Sequence, residues 1–237
     1  MDYAVMLLRA LLGTILAWLP VSPEIVPNLS GYLCPIYVGA AFAGVFYFRR
    51  EIGLIPRDFI TQSTDEWPRV FLYSLLFTFV IGYPIGKRVG TLTASQLIIV
   101  DIVLGIGLLI PAALTNVSLR LPEDTKAFVL STSMGIAQGL SSPGIARGAP
   151  SLLAALVVEK NVERAVRASL LASSGYFALR AILMGGPGVG SIDAILTSTV
   201  SFLLSLLVLE VILRSSRYGR KFVIAYALLS FIALLWR

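Results

Sequence analysis

Leu19-Pro20-Val21-Ser22-Pro23 cuts an apolar stretch that runs from residue 3 to residue 29, and Ser141-Ser142-Pro143-Gly144 cuts a second one from 127 to 158. Proline removes a backbone donor and disfavours helix at the residue before it, so each stretch is expected to split into two half-helices joined by non-helical backbone. Such backbone persists at membrane depth only where protein or a wet cavity takes up its polar groups. Both stretches are therefore expected to be re-entrant hairpins rather than spans.

The membrane setting follows from composition. With 57% hydrophobic residues, 14% charged residues and a mean hydropathy of +0.87, the chain has too little polar surface for a water-soluble globule, which carries about 25% charged residues. Six further stretches read as spanning helices: 32–48, 70–85, 95–114, 165–185, 192–213 and 222–236. The expected fold is an all-α integral membrane protein with two inverted-topology repeats, each a re-entrant hairpin followed by three transmembrane helices. The first repeat covers 1–115, the second 116–237, and together they form one membrane domain. The amino-terminal stretch holds Arg9 and no small-residue cleavage site, so it does not read as a removable signal peptide.

Charge placement supports hairpins over full spans. With each hairpin returning to its own side, Arg49, Arg50, Arg57, Arg69, Arg120, Lys126, Lys160, Arg164, Arg167, Arg214, Arg217, Arg220 and Lys221 fall on one face. The other face receives Lys87, Arg88 and Arg237. The positive-inside rule then predicts a multi-pass cell-membrane protein with both termini outside. The net charge of +6 is thus a topology signal, not a nucleic-acid stripe, and no nucleic-acid partner is expected.

The chain contains no His, which removes the commonest general base and nitrogen metal ligand. Its one cysteine, Cys34, lies in an apolar run and reads as a packed small residue. Gly185-Gly186-Pro187-Gly188-Val189-Gly190 follows no strand and carries no P-loop lysine, so it reads as a turn between spans. Arg9, Arg147 and Arg180 remain at or within the apolar layer, where charges are costly and mark functional sites. Arg147 follows the second break where a half-helix begins, so free amides near Gly144 and a guanidinium could together hold an anion. At the first break Ser22 reads as a cap or a phosphate contact, and Glu24 as a complement to the helix dipole or an acid, base or metal ligand. Asp101 is expected either to pair with Arg9 or Arg180 or to couple a cation or proton. Gln138, Ser141 and Ser142 offer neutral hydrogen-bonding groups along the second hairpin, and Glu210 is placed to pair with Arg214.

At these two breaks the sequence resembles the undecaprenyl pyrophosphate phosphatase, or bacitracin-resistance, family. That family carries Glu-x-x-x-Glu-x-Leu-Pro-Val-Ser-Ser-x-Gly-His in its first hairpin and Pro-Gly-x-Ser-Arg-Ser-Gly in its second. Here the first break reads Leu19-Pro20-Val21-Ser22 and the second Pro143-Gly144-Ile145-Ala146-Arg147, with Gln138 upstream. Gly13 and Ala17 stand at the two Glu positions, Val26 at the His position, and Ala146 and Gly148 at the two Ser positions.

The resemblance implies a polyprenyl-phosphate or pyrophosphate lipid as ligand, held by Arg147, Gly144 and Ser22. Arg9, Asp101, Gln138, Ser141, Ser142, Arg180 and Glu24 would line or couple the site. Because the motif residues for nucleophile activation are replaced, the leading expectation is non-hydrolytic binding and translocation of the carrier lipid. The alternatives are a phosphatase with relocated catalytic residues and a transporter of a small anion. No metal or other cofactor is expected unless the phosphatase holds, which would call for a divalent cation. The expected partners are the lipid, the bilayer and, as an option, a second copy of the chain in a homodimer.

Overall fold

Three prolines within eight residues, at 20, 23 and 27, leave the first break too few amide donors for an α-helical ladder. The structure, a computed structural model, describes residues 3–26, 28–56, 66–89, 92–113, 121–139, 145 and 147–232, and among these every regular element is helical. Helix α1, Tyr3–Trp18, ends at the break. The second half-helix expected before residue 29 is instead a pair of 3-10 turns, Pro23–Ile25 and Ser30–Tyr32. Asn28 lies between them with φ +60°, a left-handed conformation that interrupts helix and that Asn tolerates. The α-helix resumes only with α2, Leu33–Tyr47.

After the short α3, Arg49–Gly53, helix α4 (Glu66–Phe77) passes through a π-helical turn at Thr78–Gly82 into α5, Tyr83–Val89. Then follow α6 (Ala94–Ala113), α7 (Glu123–Gly139), α8 (Gly148–Val158), α9 (Val162–Leu183), α10 (Ser191–Ser216) and α11 (Arg220–Ile232). The second break lies between α7 and α8, and Ser141, Ser142 and Gly144 fall outside the described residues. Among the described residues Ser30–Tyr47, Glu66–Arg88, Ala94–Ala113 and Ser191–Ser216 are long and apolar enough to cross a bilayer.

Polar and apolar surfaces are distributed for lipid. Ser131, Ser151, Ser174, Ser201 and Ser205 are fully buried, while Ile99, Val103, Ile106, Leu203 and Leu207 are exposed. Small residues bring the backbones together, as expected where lipid competes with side-chain packing. On α2, a Cβ at Gly39 would lie 2.7 Å from the Ser201 side chain, and Ser201 donates to the Ile36 carbonyl at 2.8 Å. The π turn brings Gly82 against Gly139 so closely that a Cβ at Gly82 would meet the Gly139 Cα at 2.6 Å. Thr78 bonds both the Ser74 carbonyl in its own helix (2.7 Å) and the Gly135 carbonyl across the contact (3.0 Å).

Ion pairs gather around the start of α9. Arg164 pairs with Glu66, Arg167 with Glu51, and Glu159 receives both Lys126 at 2.8 Å and Arg164 at 3.5 Å. Farther along the chain, Glu210 pairs with Arg214 at 2.5 Å, the expected helical spacing, and accepts the Tyr47 hydroxyl at 2.6 Å. Helix α9 is the central one, contacting α2, α4, α7, α8 and α10. Its residues from Ala168 to Gly175 are buried throughout, and its tail carries Tyr176, Phe177 and Arg180 to the first break.

Candidate functional site

Phe177 supplies the floor of the site. Trp18 meets it edge-on at 4.7 Å between ring centroids and Tyr37 lies at 5.5 Å. Trp18 is itself fixed by a 2.8 Å hydrogen bond from its indole to Ser205. On this shelf lies Arg147, the residue just before α8, with its guanidinium 3.5 Å from the Phe177 centroid and 5.1 Å from that of Tyr176. Both rings present negative quadrupole faces that favour a cation. One terminal nitrogen of Arg147 donates to the Ala17 carbonyl, an acceptor released where α1 ends. Arg147 is 6% exposed, its Nε has no hydrogen-bond partner, and among the described residues no carboxylate forms an ion pair with it.

The pocket in front of this guanidinium is small, about 10 Å³, and is lined by Ala17, Leu19, Val21, Ser22, Pro23, Glu24, Tyr37, Ile145, Arg147 and Tyr176. The first break thus meets Ile145 and Arg147, which follow the second in sequence, at one place. Ser22 caps the 3-10 turn, its hydroxyl accepting from the Glu24 amide at 3.3 Å, with Pro23 at the first helical position. Glu24 reaches across to α9 and pairs with Arg180 at 2.9 Å. The carboxylate partner of Arg180 is therefore Glu24 rather than Asp101, because α9 and the first break share the pocket wall while Asp101 sits on α6, which packs on α8 and α11.

The other expected site residues lie apart. Arg9 stacks on Tyr32, 5.5 Å from its centroid, and Asp101 is buried on α6; neither lines the pocket. Gln138 is buried against α9, donating to Ser173 at 3.3 Å. Residues missed in the sequence are the aromatic walls Tyr37, Tyr176 and Phe177. A signal was available for two of them, since Tyr176 and Phe177 precede the intramembrane Arg180 by one helical turn.

Among the described residues Glu24 is the one carboxylate lining the pocket, so a divalent cation held there would draw its further oxygen ligands from water or phosphate. Positive charge at this site comes from arginine. Beyond Tyr176 lies a cavity of about 20 Å³ lined by Thr78, Tyr83, Gly139, Tyr176, Leu179, Arg180 and Leu183. Leu179 in turn borders an apolar groove of about 490 Å³ between α2, α4 and α9, walled by Val45, Phe71, Leu75, Phe79 and Ala178. Polar pocket, small cavity and apolar groove thus follow one another along the face of α9.

The family model described as bacitracin resistance protein BacA matches residues 7–233. No curated protein matches the chain.

Proposed function

The chain belongs to the bacitracin resistance protein BacA family, and from that premise we propose that its central pocket receives the pyrophosphate headgroup of an undecaprenyl-type polyprenyl lipid. The observation that carries this reading is Arg147, a buried guanidinium with a spare N–H and no ion-paired carboxylate among the described residues. A buried cation of this kind is costly unless an anion joins it. A lipid anion suits the surroundings, because an apolar groove opens along the same helix two cavities away.

Family membership favours hydrolysis of that headgroup, the undecaprenyl pyrophosphate phosphatase reaction, over carriage of the intact lipid. Glu24 is the carboxylate that lines the pocket, and in this reading it activates the attacking water while Arg147 and Arg180 take up charge on the phosphoryl oxygens. Ser22, already engaged with the Glu24 amide, positions the turn.

Packing at two motif positions supports the second reading, non-hydrolytic binding and translocation. Where the resembled motif has its first Glu, a Cβ on Gly13 would meet the Ile36 side chain at 2.5 Å and Leu29 at 3.1 Å. Where it has its second Ser, a Cβ on Gly148 would meet the Tyr226 hydroxyl at 2.5 Å. Neighbours have closed over both places. If the two hairpins enter from opposite faces, the site lies where alternating access needs it.

One preparation tests both readings. Purified protein is given a long-chain polyprenyl pyrophosphate, and phosphate release is followed beside headgroup translocation in liposomes. Phosphate release abolished by Glu24→Gln and by Arg147→Ala establishes hydrolysis. Translocation without release establishes the second reading, and absence of both activities overturns the headgroup site.

A further inference from the structure

We propose that Arg180 is a second headgroup ligand, kept in reserve by Glu24, so that the site selects a diphosphate over a monophosphate. The inference rests on the headgroup reading above and names what that site discriminates.

Tyr176 stands between two cations. The Arg147 guanidinium lies 5.1 Å from its ring centroid, and Arg180 follows it by one turn on α9. The pocket at Arg147 and the cavity at Arg180 share Tyr176 as a common wall. Glu24 lines the first and bonds the cation of the second at 2.9 Å. One carboxylate therefore accompanies two guanidiniums, Arg147 buried and Arg180 partly buried, which leaves one positive charge uncompensated among the residues that line the two cavities. Each guanidinium also keeps a buried Nε–H without a hydrogen-bond partner among the described residues. Two unused donors on two neighbouring cations call for a ligand with two anionic centres.

Space gives the same answer. Cavities of about 10 and 20 Å³ each hold about one water, so a headgroup enters only if a side chain leaves. Glu24 is the side chain whose departure enlarges the first cavity and at the same time vacates the anion position on Arg180, which lines the second. A phosphate oxygen then takes its place on Arg180 with the same charge-assisted geometry, while the other phosphate meets Arg147. A monophosphate satisfied by Arg147 leaves the Glu24–Arg180 pair closed.

The test measures binding of farnesyl pyrophosphate and farnesyl monophosphate to the full chain in detergent by calorimetry. Wild type is expected to favour the diphosphate. Arg180→Gln should weaken the diphosphate by about tenfold or more, the scale of one lost charge-assisted contact, and the monophosphate by less than about threefold. Glu24→Gln should tighten the diphosphate several-fold by removing its internal competitor. The double variant Glu24→Gln/Arg180→Gln leaves neither charge unpaired, so it retains the fold and should bind both ligands alike. Equal weakening of both ligands by Arg180→Gln, no effect on either, or unchanged diphosphate affinity in Glu24→Gln overturns the inference while leaving the headgroup reading standing. Failure of wild type to bind either ligand, or indifference of both to Arg147→Gln, overturns the headgroup reading and this inference with it.

Discussion

Replacing Gly148 by Ala asks whether the Tyr226 hydroxyl really fills the place in front of α8. The added Cβ would lie 2.5 Å from that hydroxyl oxygen, about 0.9 Å inside the 3.4 Å at which ordinary contact begins, and 3.2 Å from the Leu19 carbonyl oxygen. Leu19 belongs to the break and its carbonyl is backbone, so the movement falls to Tyr226, which is 5% exposed and bonds the Trp18 carbonyl at 3.3 Å. Overpacking of this kind costs about 1 to 3 kcal/mol, offset by at most about 1 kcal/mol of helix propensity. Tyr226→Phe alone loses a long hydrogen bond worth about 0.5 to 1.5 kcal/mol. In the double variant the hydroxyl that causes the clash is gone, so the combined cost should fall short of the sum by about 1 kcal/mol or more, well above the additivity error of about 0.3 to 0.5 kcal/mol. Unfolding from mixed detergent micelles, followed for wild type, both single variants and the pair, gives the coupling. Strict additivity would refute the packing argument at position 148, and with it one support of the non-hydrolytic reading.

Two further changes probe the scaffold. Gly139→Ala places a Cβ 2.6 Å from the Tyr83 amide nitrogen, backbone against helix, with no side chain to yield; it should cost about 3 kcal/mol or more, beyond the usual overpacking range, and a detergent-stable variant with an unchanged midpoint would refute the close contact of the π turn with α7. Phe177→Leu removes the ring 3.5 Å under Arg147 and should lose about 2 kcal/mol of desolvated cation–π stabilisation besides its packing loss. In an Arg147→Leu background that extra loss should vanish, and a cost that is the same in both backgrounds would mean the ring acts only as filler.

The first break was legible because proline chemistry is local. Leu19-Pro20-Val21-Ser22-Pro23 ends α1 where Pro111 leaves α6 continuous, because two prolines three apart withdraw successive donors, and Ser22 and Arg147 do line one pocket. The form of the first return arm was less legible. Its apolar content reads as helix, but Pro20, Pro23 and Pro27 withdraw donors one after another, and 3-10 turns with a left-handed Asn28 are what remains.

The partner of Arg180 was beyond sequence reading for a different reason. Periodicity places Arg180 in an apolar helix and says that a carboxylate should accompany it, but both Asp101 and Glu24 meet that requirement, and the choice depends on which element α9 touches. Glu24 lies 156 positions away on a turn too short to show a hydrophobic face. Only the packing of α9 beside the first break resolves the choice, and the same packing sets the aromatic ring of Tyr176 between the two arginines. Charge pairing inside a membrane is decided by helix neighbours rather than by spacing along one helix. A carboxylate on a short 3-10 turn at the pocket edge is placed to exchange its cation with an incoming anion; the placement of Glu24 on the break is thus what would make an exchangeable anion site out of a partly buried ion pair.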